Sequence, residues 1–115
     1  MIAVIFELEP QAGAGRERYF ELAAALRPVL EASDGFVSVE RFESLTRPGR
    51  FLSLSFWRDE EAVRRWRCDG RHRGAQQEGR DGVLAGYRLR VAAVLRDYGL
   101  AERDEAPADS RATLI

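Results

Sequence analysis

The chain has 115 residues, of which 45% are hydrophobic and ten are glycine, and its formal net charge is −1. This length suits one domain with a single core, and the lack of a basic block argues against a nucleic-acid-binding protein. All 18 basic residues are arginine, so chemistry that depends on a lysine nucleophile or a lysine Schiff base is excluded.

The cysteine content and the hydropathy pattern indicate the compartment. Cys68 is the single cysteine, so the chain predicts no internal disulfide and no cysteine metal cage. The first six residues are apolar without a basic segment, and Glu7 and Glu9 follow them, which is typical of a strand rather than a signal peptide. No apolar run approaches the roughly 20 residues of a membrane helix. We therefore expect a cytoplasmic protein that does not bind membranes.

The first elements alternate between strand and helix patterns. Residues 2–8 place apolar side chains on one face of a strand, and residues 10–15 form a loop. Residues 15–32 carry apolar side chains at spacings of three and four, which predicts an amphipathic helix. The sequence Ser-Asp-Gly at residues 33–35 should end that helix and turn the chain.

A hairpin follows the first helix. Residues 36–44 form the second strand, and Thr-Arg-Pro-Gly at residues 46–49 forms the connection. The third strand, residues 50–57, alternates cleanly between two faces: Leu52, Leu54 and Phe56 on one, and Phe51, Ser53, Ser55 and Trp57 on the other.

A second helical region and a last strand complete the pattern. The acidic residues at 59–61 suit the positive end of a helix dipole and open this region. Gly70 is expected to divide it into helices at about residues 59–68 and 71–79. Residues 79–82 break the pattern again, and residues 87–95 form the last strand.

The predicted order is βαββαβ over residues 1–98, which is the ferredoxin-like α+β arrangement of a four-stranded antiparallel sheet with two helices on one face. The other face of the sheet would also carry apolar side chains. The simplest way to cover this face is a second copy of the chain packed sheet to sheet, which predicts a homodimer. Residues 99–115 form a charged tail for which disorder is the default expectation. Alternatively, three apolar residues anchor the tail on a partner subunit: Tyr98, Leu114 and Ile115.

Two stretches carry a resemblance to a known family. Residues 55–62 read Ser-Phe-Trp-Arg-Asp-Glu-Glu-Ala, with Trp66 after them, and residues 72–76 read His-Arg-Gly-Ala-Gln. Over residues 1–98 the chain resembles the antibiotic-biosynthesis-monooxygenase-like family of dimeric α+β barrels. Further similar segments lie at residues 34–36, 87–91 and 105–112. The resemblance implies this fold. It does not specify the reaction, because the family includes quinone-forming monooxygenases, haem degraders, quinol oxidases and proteins of unassigned role.

The resemblance separates these branches when it is followed residue by residue. Quinone-forming members have a tryptophan at the end of the third strand, which Trp57 matches. Their Asn four residues earlier and Tyr six residues later are here Ser53 and Val63. Haem-degrading members have a tryptophan in the second helix, which Trp66 matches, but their haem-ligating histidine corresponds to Gln76. The resemblance therefore argues against haem degradation and implies a reaction without a cofactor.

The single histidine is the candidate base. His72 has an ordinary pKa of about 6.5, which lies near neutrality. If Gly70 restarts the helix, His72 and Gln76 share one face, where the imidazole could take a proton from a phenol while the amide steadies the oxygen. Three flanking arginines could stabilise the phenolate: Arg67, Arg71 and Arg73. The alternative is that His72 caps a helix or packs at the surface.

The tryptophans and two strand arginines each have two interpretations. Trp57 and Trp66 could border a cleft and stack on a flat ligand, or Trp66 could belong to the core. Arg88 and Arg90 could hold a carboxylate or an enolate. Alternatively, they pair across strands with one of four glutamates: Glu7, Glu9, Glu40 or Glu43. Glu7 could itself be a base in the cavity if it points inward.

The leading hypothesis from these observations is a cofactor-independent monooxygenase or oxidase for a phenolic, quinol or polyketide-like small molecule. His72 would be the base or proton relay, Gln76 and Arg73 would orient the substrate, and Trp57 and Trp66 would form the walls. The sequence contains no metal-ligand cluster, phosphate loop or nucleotide fingerprint. The alternatives are a small-molecule-binding or stress-linked protein without turnover, and an isomerase or cyclase.

Overall fold

The computed structural model describes residues 1–78 and 82–111. Four strands and three helices lie within these residues, and the second helical region is divided at Gly70 as predicted. In chain order the elements are β1 (Ile2–Pro10), α1 (Ala14–Glu31), β2 (Phe36–Glu43), β3 (Phe51–Trp57), α2 (Glu60–Arg67), α3 (Gly70–Glu78) and β4 (Leu84–Ala93).

The four strands form one antiparallel sheet in the order β2-β3-β1-β4. β1 runs through the interior of the sheet, where Ile2 lies opposite both Trp57 of β3 and Ala93 of β4. The helices pack on one face of this sheet. The architecture confirms the predicted ferredoxin-like α+β fold.

The last strand begins three residues before the predicted start and ends two residues before the predicted end. β1 continues to Pro10, and a bulge between Glu9 and Pro10 brings Pro10 opposite Leu84. Backbone pairing therefore extends β4 through a segment that has no alternating pattern. Leu95 lies beyond the strand and is 83% exposed. Most of the predicted break at residues 79–82 lies outside the described residues.

Two separate clusters of buried side chains fix the helices on the sheet. One consists of Leu30, Trp57, Ala62 and Val63, and the other of Leu8, Tyr19 and Phe51. Phe51 and Trp57 are the first and last residues of β3, so the clusters lie about 20 Å apart along the strand. Between them, this face of β3 carries only Ser53 and Ser55, whose side chains are too small to fill the space.

Each of the two short helices begins at an aspartate. The Asp59 carboxylate accepts a hydrogen bond from the backbone N–H three residues later at 2.9 Å and caps α2. Asp69 accepts from the backbone N–H of Arg71 at 2.9 Å at the start of α3. Trp66 precedes the joint between the helices and His72 follows it, so the caps bring these two rings together.

The turn between α1 and β2 connects three parts of the fold. The Asp34 carboxylate accepts hydrogen bonds from Arg58 at 3.1 and 3.0 Å and from Arg65 at 2.9 Å. These guanidinium groups lower the pKa of Asp34 to about 2. Gly35 has a φ of +84°, and a Cβ at this position would lie 2.5 Å from the Cβ of Ala62. α2 therefore packs directly against this turn.

The face of the sheet away from the helices is apolar near its centre. Buried or half-buried side chains form this outer patch: Ala3, Ile5, Leu52, Leu54 and Phe56. Glu7 lies beside the patch and forms ion pairs with Arg50 at 2.9 Å and Arg90 at 3.4 Å. Apolar side chains on both faces agree with the pattern expected from the sequence, and the homodimer that would cover the outer patch stays a prediction.

Residues 99–111 contain turns at residues 104–105 and 108–111. The Ala106 N–H donates to the Arg103 carbonyl at 3.0 Å, and Arg111 Nε donates to the Ala106 carbonyl at 3.1 Å. Ala106 is only 2% exposed, so the tail has local order that the expectation of a disordered end did not include. Leu114 and Ile115 lie outside the described residues, and the domain boundary after residue 98 stays a prediction.

Gly35→Ala is expected to lower the free energy of unfolding by about 3 kcal/mol or more, because the new Cβ imposes a strained positive φ and collides with Ala62. Gly49→Ala is the matched control, since Gly49 also has a positive φ, +89°, but no atom lies within 4 Å of its added Cβ. Its expected loss is about 1–2 kcal/mol. Urea unfolding measures both, and equal losses would contradict the close packing of α2 on this turn.

Asp34→Asn is expected to destabilise the protein at neutral pH but not near pH 2. The folded state lowers the pKa of Asp34 from 3.8 to about 2 through Arg58 and Arg65. The stabilisation is therefore present above the unfolded-state pKa and is lost as the pH falls toward the folded-state value. Urea unfolding across this range tests the prediction. Asp104→Asn is the control, because Asp104 is exposed and has no ion pair among the described residues. If the difference in unfolding free energy between the wild-type protein and Asp34→Asn does not vary with pH, the linkage is ruled out.

Candidate active site

A cavity of about 570 Å³ lies between the sheet and the helices, in the space beside Ser53 and Ser55. All five site residues predicted from the sequence contribute to its wall: Trp57, Trp66, His72, Arg73 and Gln76. Much of the remaining wall is apolar and comes from α1, β1 and β4, including Leu22, Leu26, Val4, Phe6, Leu89 and Val91. The fold thus brings two separate stretches of sequence into one place, while the roles of these residues stay predictions.

Three aromatic rings follow one another along the wall. Trp57 is 1% exposed, and its Nε1 donates to Ser55 Oγ at 2.9 Å, which fixes the indole. The ring of Trp66 lies 6.2 Å from that of Trp57, and the imidazole of His72 stacks on Trp66 at 4.6 Å with an interplanar angle of 23°. Trp66 packs on the core cluster and also lines the cavity, while its stacking on a ligand stays a prediction.

His72 is half-buried at the start of α3. Burial lowers the pKa of its imidazole below 6.5 and Arg73 adds to this effect, whereas the backbone of Trp66 and Arg67 acts in the opposite direction. Its Nδ1 is buried and has no hydrogen-bond partner within residues 1–78 and 82–111. The ring is therefore neutral at pH 7, with one nitrogen protonated and the other able to accept a proton. Asp69, not His72, caps the helix.

Gln76 lies one helical turn after the histidine and lines the same cavity, as predicted. The three flanking arginines separate into two groups. Arg67 and Arg73 line the cavity, whereas Arg71 turns back to the Asp69 carboxylate at 3.2 Å. Arg71 is therefore not placed to stabilise a bound phenolate, which corrects the expectation for this residue.

α3 forms an outer wall of the cavity without burying any of its side chains completely. Its first turn contacts α2 through the stacking of His72 on Trp66. At its other end, the Glu78 carboxylate accepts two hydrogen bonds from Arg18 of α1, each at 2.8 Å. This pair is exposed on both sides.

The polar residues of the wall that were not predicted as site residues include Tyr19, Arg41 and Tyr87. The Tyr19 hydroxyl accepts a hydrogen bond from Arg41 Nε at 3.2 Å. Tyr19 was hidden in the apolar stripe of α1. The position of Arg41 opposite Ser53 depends on a shift of register between Phe36 and Ser38, and the sequence gives no signal for that shift.

The expectation that Glu7 could serve as a base in the cavity is wrong. Glu7 lies on the outer face of the sheet, where Arg50 lowers the pKa of its carboxyl and Arg90 acts in the same direction. The same contacts confirm that Arg90 takes part in a cross-strand ion pair. Arg88 forms no such pair with any described carboxylate.

Neither a cluster of metal ligands nor a membrane-spanning helix occurs in the described part of the chain. No three His, Cys, Asp or Glu side chains in residues 1–78 and 82–111 are grouped closely enough to hold a metal ion. None of the helices there is long and apolar enough to cross a bilayer. Cys68 is exposed at the joint between α2 and α3, with Arg73 Nη2 at 3.9 Å from its sulfur.

Sequence comparison identifies relatives of this chain. A protein of Pyricularia oryzae named jasmonate monooxygenase is 52% identical over 94 residues, which are 82% of this chain and 43% of that protein. The chain thus spans less than half the length of this relative. The uncharacterized protein YqjZ of Bacillus subtilis is 31% identical over 78 residues, which are 68% of this chain and 67% of that protein.

Solved structures share the fold at low sequence identity. A candidate antibiotic biosynthesis monooxygenase from Deinococcus radiodurans has a TM-score of 0.76 at 15% identity, over 86% of this chain and 97% of that chain. Rv0793 from Mycobacterium tuberculosis has a TM-score of 0.74 at 21% identity, over 84% of this chain and 96% of that chain. The sequence profile described as antibiotic biosynthesis monooxygenase matches residues 1–78, more than half of the chain. The chain therefore belongs to the antibiotic biosynthesis monooxygenase family.

Proposed function

We propose that this chain is a monooxygenase that oxidises a phenolic, quinol or polyketide-like small molecule without a bound cofactor. Membership of the family and a relative named as a monooxygenase support oxygen chemistry in general. One observation carries the finer proposal: a neutral His72 that stacks on Trp66 in the wall of a largely apolar cavity.

Such a substrate becomes reactive toward dioxygen once it has lost a proton. His72 accepts the proton from a phenolic hydroxyl or an acidic carbon, and the electron-rich anion then reacts with dioxygen. When a ring CH₂ group is oxidised to a carbonyl, one oxygen atom stays on the carbon. The other oxygen leaves as water with the two hydrogens of that carbon. The substrate supplies all the electrons, so the reaction needs no external reductant.

The other wall residues hold the anion and exclude water. Gln76 lies one turn from the base and can donate an amide N–H to the substrate oxygen. Arg73 places a positive charge at the rim of the cavity, where it stabilises the developing negative charge. Trp57 and Trp66 offer flat apolar surfaces on which an aromatic ring can stack away from solvent.

A second copy of the chain is part of this proposal. Leu54 and Phe56 lie in the outer patch, which is apolar and faces away from the helices. The same patch of a partner, related by a twofold axis, would cover it. Burial of that face would also hold the sheet rigid beneath the cavity.

A binding role without turnover is the second candidate function. The Asn and Tyr that accompany the strand-end tryptophan in quinone-forming members are here Ser53 and Val63. Val63 is 8% exposed and belongs to a core cluster, so it offers no proton to a ligand. An isomerase or a cyclase would use the same proton transfer by His72 without consuming oxygen.

The wild-type protein is expected to consume oxygen with at least one member of a panel of hydroquinones and anthrones. His72→Ala should lower the rate at least about 100-fold, because it removes the base. Arg71→Ala is the matched control on the same helix, since Arg71 faces Asp69 rather than the cavity, and its rate should not change.

The pH dependence and the alternatives are tested in the same assay. Because burial lowers the pKa of His72 below 6.5, the wild-type rate should increase as the pH passes this pKa and should be constant by neutral pH. An absence of uptake above buffer, or an unchanged rate in His72→Ala, would end the proposal. Turnover under strict anaerobiosis would favour an isomerase or cyclase, and ligand-induced thermal stabilisation without turnover would favour a binding protein.

Sedimentation at micromolar concentration is expected to show a homodimer of about 26 kDa, which is twice the 13.0 kDa of the chain. Leu54→Arg should produce the 13.0 kDa species, because it places an unpaired charge in the outer patch. Leu95→Arg is the control, since Leu95 is 83% exposed and lies outside the sheet. A monomeric wild-type protein would contradict the proposed assembly.

A further inference from the structure

The charged residues in the cavity wall all have the same sign. Its described lining includes four arginines, Arg27, Arg41, Arg67 and Arg73, and contains no Asp or Glu. The chain as a whole has 19 acidic residues and 18 arginines, so the arginines of the wall do not reflect an excess of basic residues in the chain. A cleft with apolar walls and one sign of charge concentrates ligands of the opposite sign. The wall therefore favours anions.

Arg41 differs from the other three arginines of the wall. Arg27 is exposed and donates to Glu31 at 2.7 Å. Arg67 and Arg73 are exposed at the α2–α3 side of the cavity. Arg41 is half-buried, and its guanidinium forms no ion pair with a carboxylate in the described part of the chain. A partly buried cation without a counter-ion favours the binding of an anionic ligand beside it.

The side chain of Arg41 is held beside the cavity by its contact with Tyr19. Its Nε donates to the Tyr19 hydroxyl at 3.2 Å, and its Cζ lies 6.0 Å from the Tyr19 ring centroid. This contact uses Nε and leaves the two terminal nitrogens as a planar pair of donors. Ser53 lies opposite Arg41 in the β2–β3 register and lines the same cavity.

We infer that Arg41, positioned by Tyr19 and supported by Ser53, binds the carboxylate of an otherwise apolar ligand. The two terminal nitrogens suit a bidentate hydrogen bond to a carboxylate. Ser53 is four residues from Trp57 on β3, which corresponds to about 13 Å. The ligand is therefore an amphipathic acid in which an apolar spacer separates the carboxylate from a ring near Trp57.

The inference rests on the proposed function in one respect only, namely which end of the ligand reacts. The preference for an anion depends on binding alone and can be measured under argon, without turnover. Both tryptophans of the chain line the cavity, so energy transfer from tryptophan to a pyrene probe reports binding, and the Arg41 variants show whether the probe occupies this site. The probes are pyrenebutyrate and its methyl ester, which share the aromatic ring and differ in the negative charge.

The wild-type protein is expected to bind pyrenebutyrate at least about 10-fold more tightly than the ester, and Arg41→Gln should lose about 10-fold in affinity for the acid. Its affinity for the ester should change less than about 3-fold. Arg41→Lys keeps the charge without the planar donors and should lose less affinity for the acid than Arg41→Gln. Arg47→Gln removes an exposed arginine of the neighbouring hairpin outside the cavity and is the control.

Three results would overturn this inference: equal affinity of the wild-type protein for acid and ester, equal loss for both compounds in Arg41→Gln, or an equally large loss in Arg67→Gln. If Arg41→Gln does not fold, Tyr19→Phe tests the same subsite. That variant removes the hydroxyl that holds Nε and should weaken binding of the acid more than binding of the ester. Acid preference in a protein that consumes no oxygen would reject the proposed monooxygenase and leave the subsite standing.

Discussion

The cavity exists because the helices are held away from the middle of the sheet. Two packed clusters, one around Phe51 and one around Trp57, set the distance between the layers at the two ends of β3. Ser53 and Ser55 lie between them and cannot fill the gap. A larger apolar side chain at either position would bury more surface and fill the cavity. The space for a ligand therefore exists because the centre of the domain is not packed as a core.

This arrangement divides the polar groups of the cavity into two ends. At the Trp57 end, His72 is neutral, stacked and next to Gln76 on the same helix. At the other end, Arg41 is partly buried against Tyr19. A proton acceptor and an anion-binding group are thus separated by apolar wall, and this separation suits a ligand with a reactive ring at one end and an acidic group at the other.

The parts of this structure that were predictable from the sequence are those with local causes. The alternation in β3, the acidic start of α2 and the glycine that begins α3 indicated the order of the elements and placed His72 and Gln76 on one helix face. The early start of β4 was missed, because it depends on the length of β1 and on a bulge at Glu9. The Tyr19–Arg41 contact joins residues 22 positions apart, and no local pattern fixes such a meeting. The inward direction considered for Glu7 contradicts the alternation of β1 itself, which places Phe6 in the cavity.

The attachment of α3 has a consequence for the passage of molecules into and out of the chamber. This helix contributes nothing fully buried to the core, and its far end is tied to α1 by the exposed Arg18–Glu78 pair, a kind of contact worth only about 0–1 kcal/mol. Gly70 at its near end provides a flexible pivot. Opening of the cavity at α3 would therefore need less free energy than opening at α1 or α2, and local opening of this kind needs no global unfolding. High ionic strength, which weakens the tie, would hasten the exchange of a bound guest with bulk solvent.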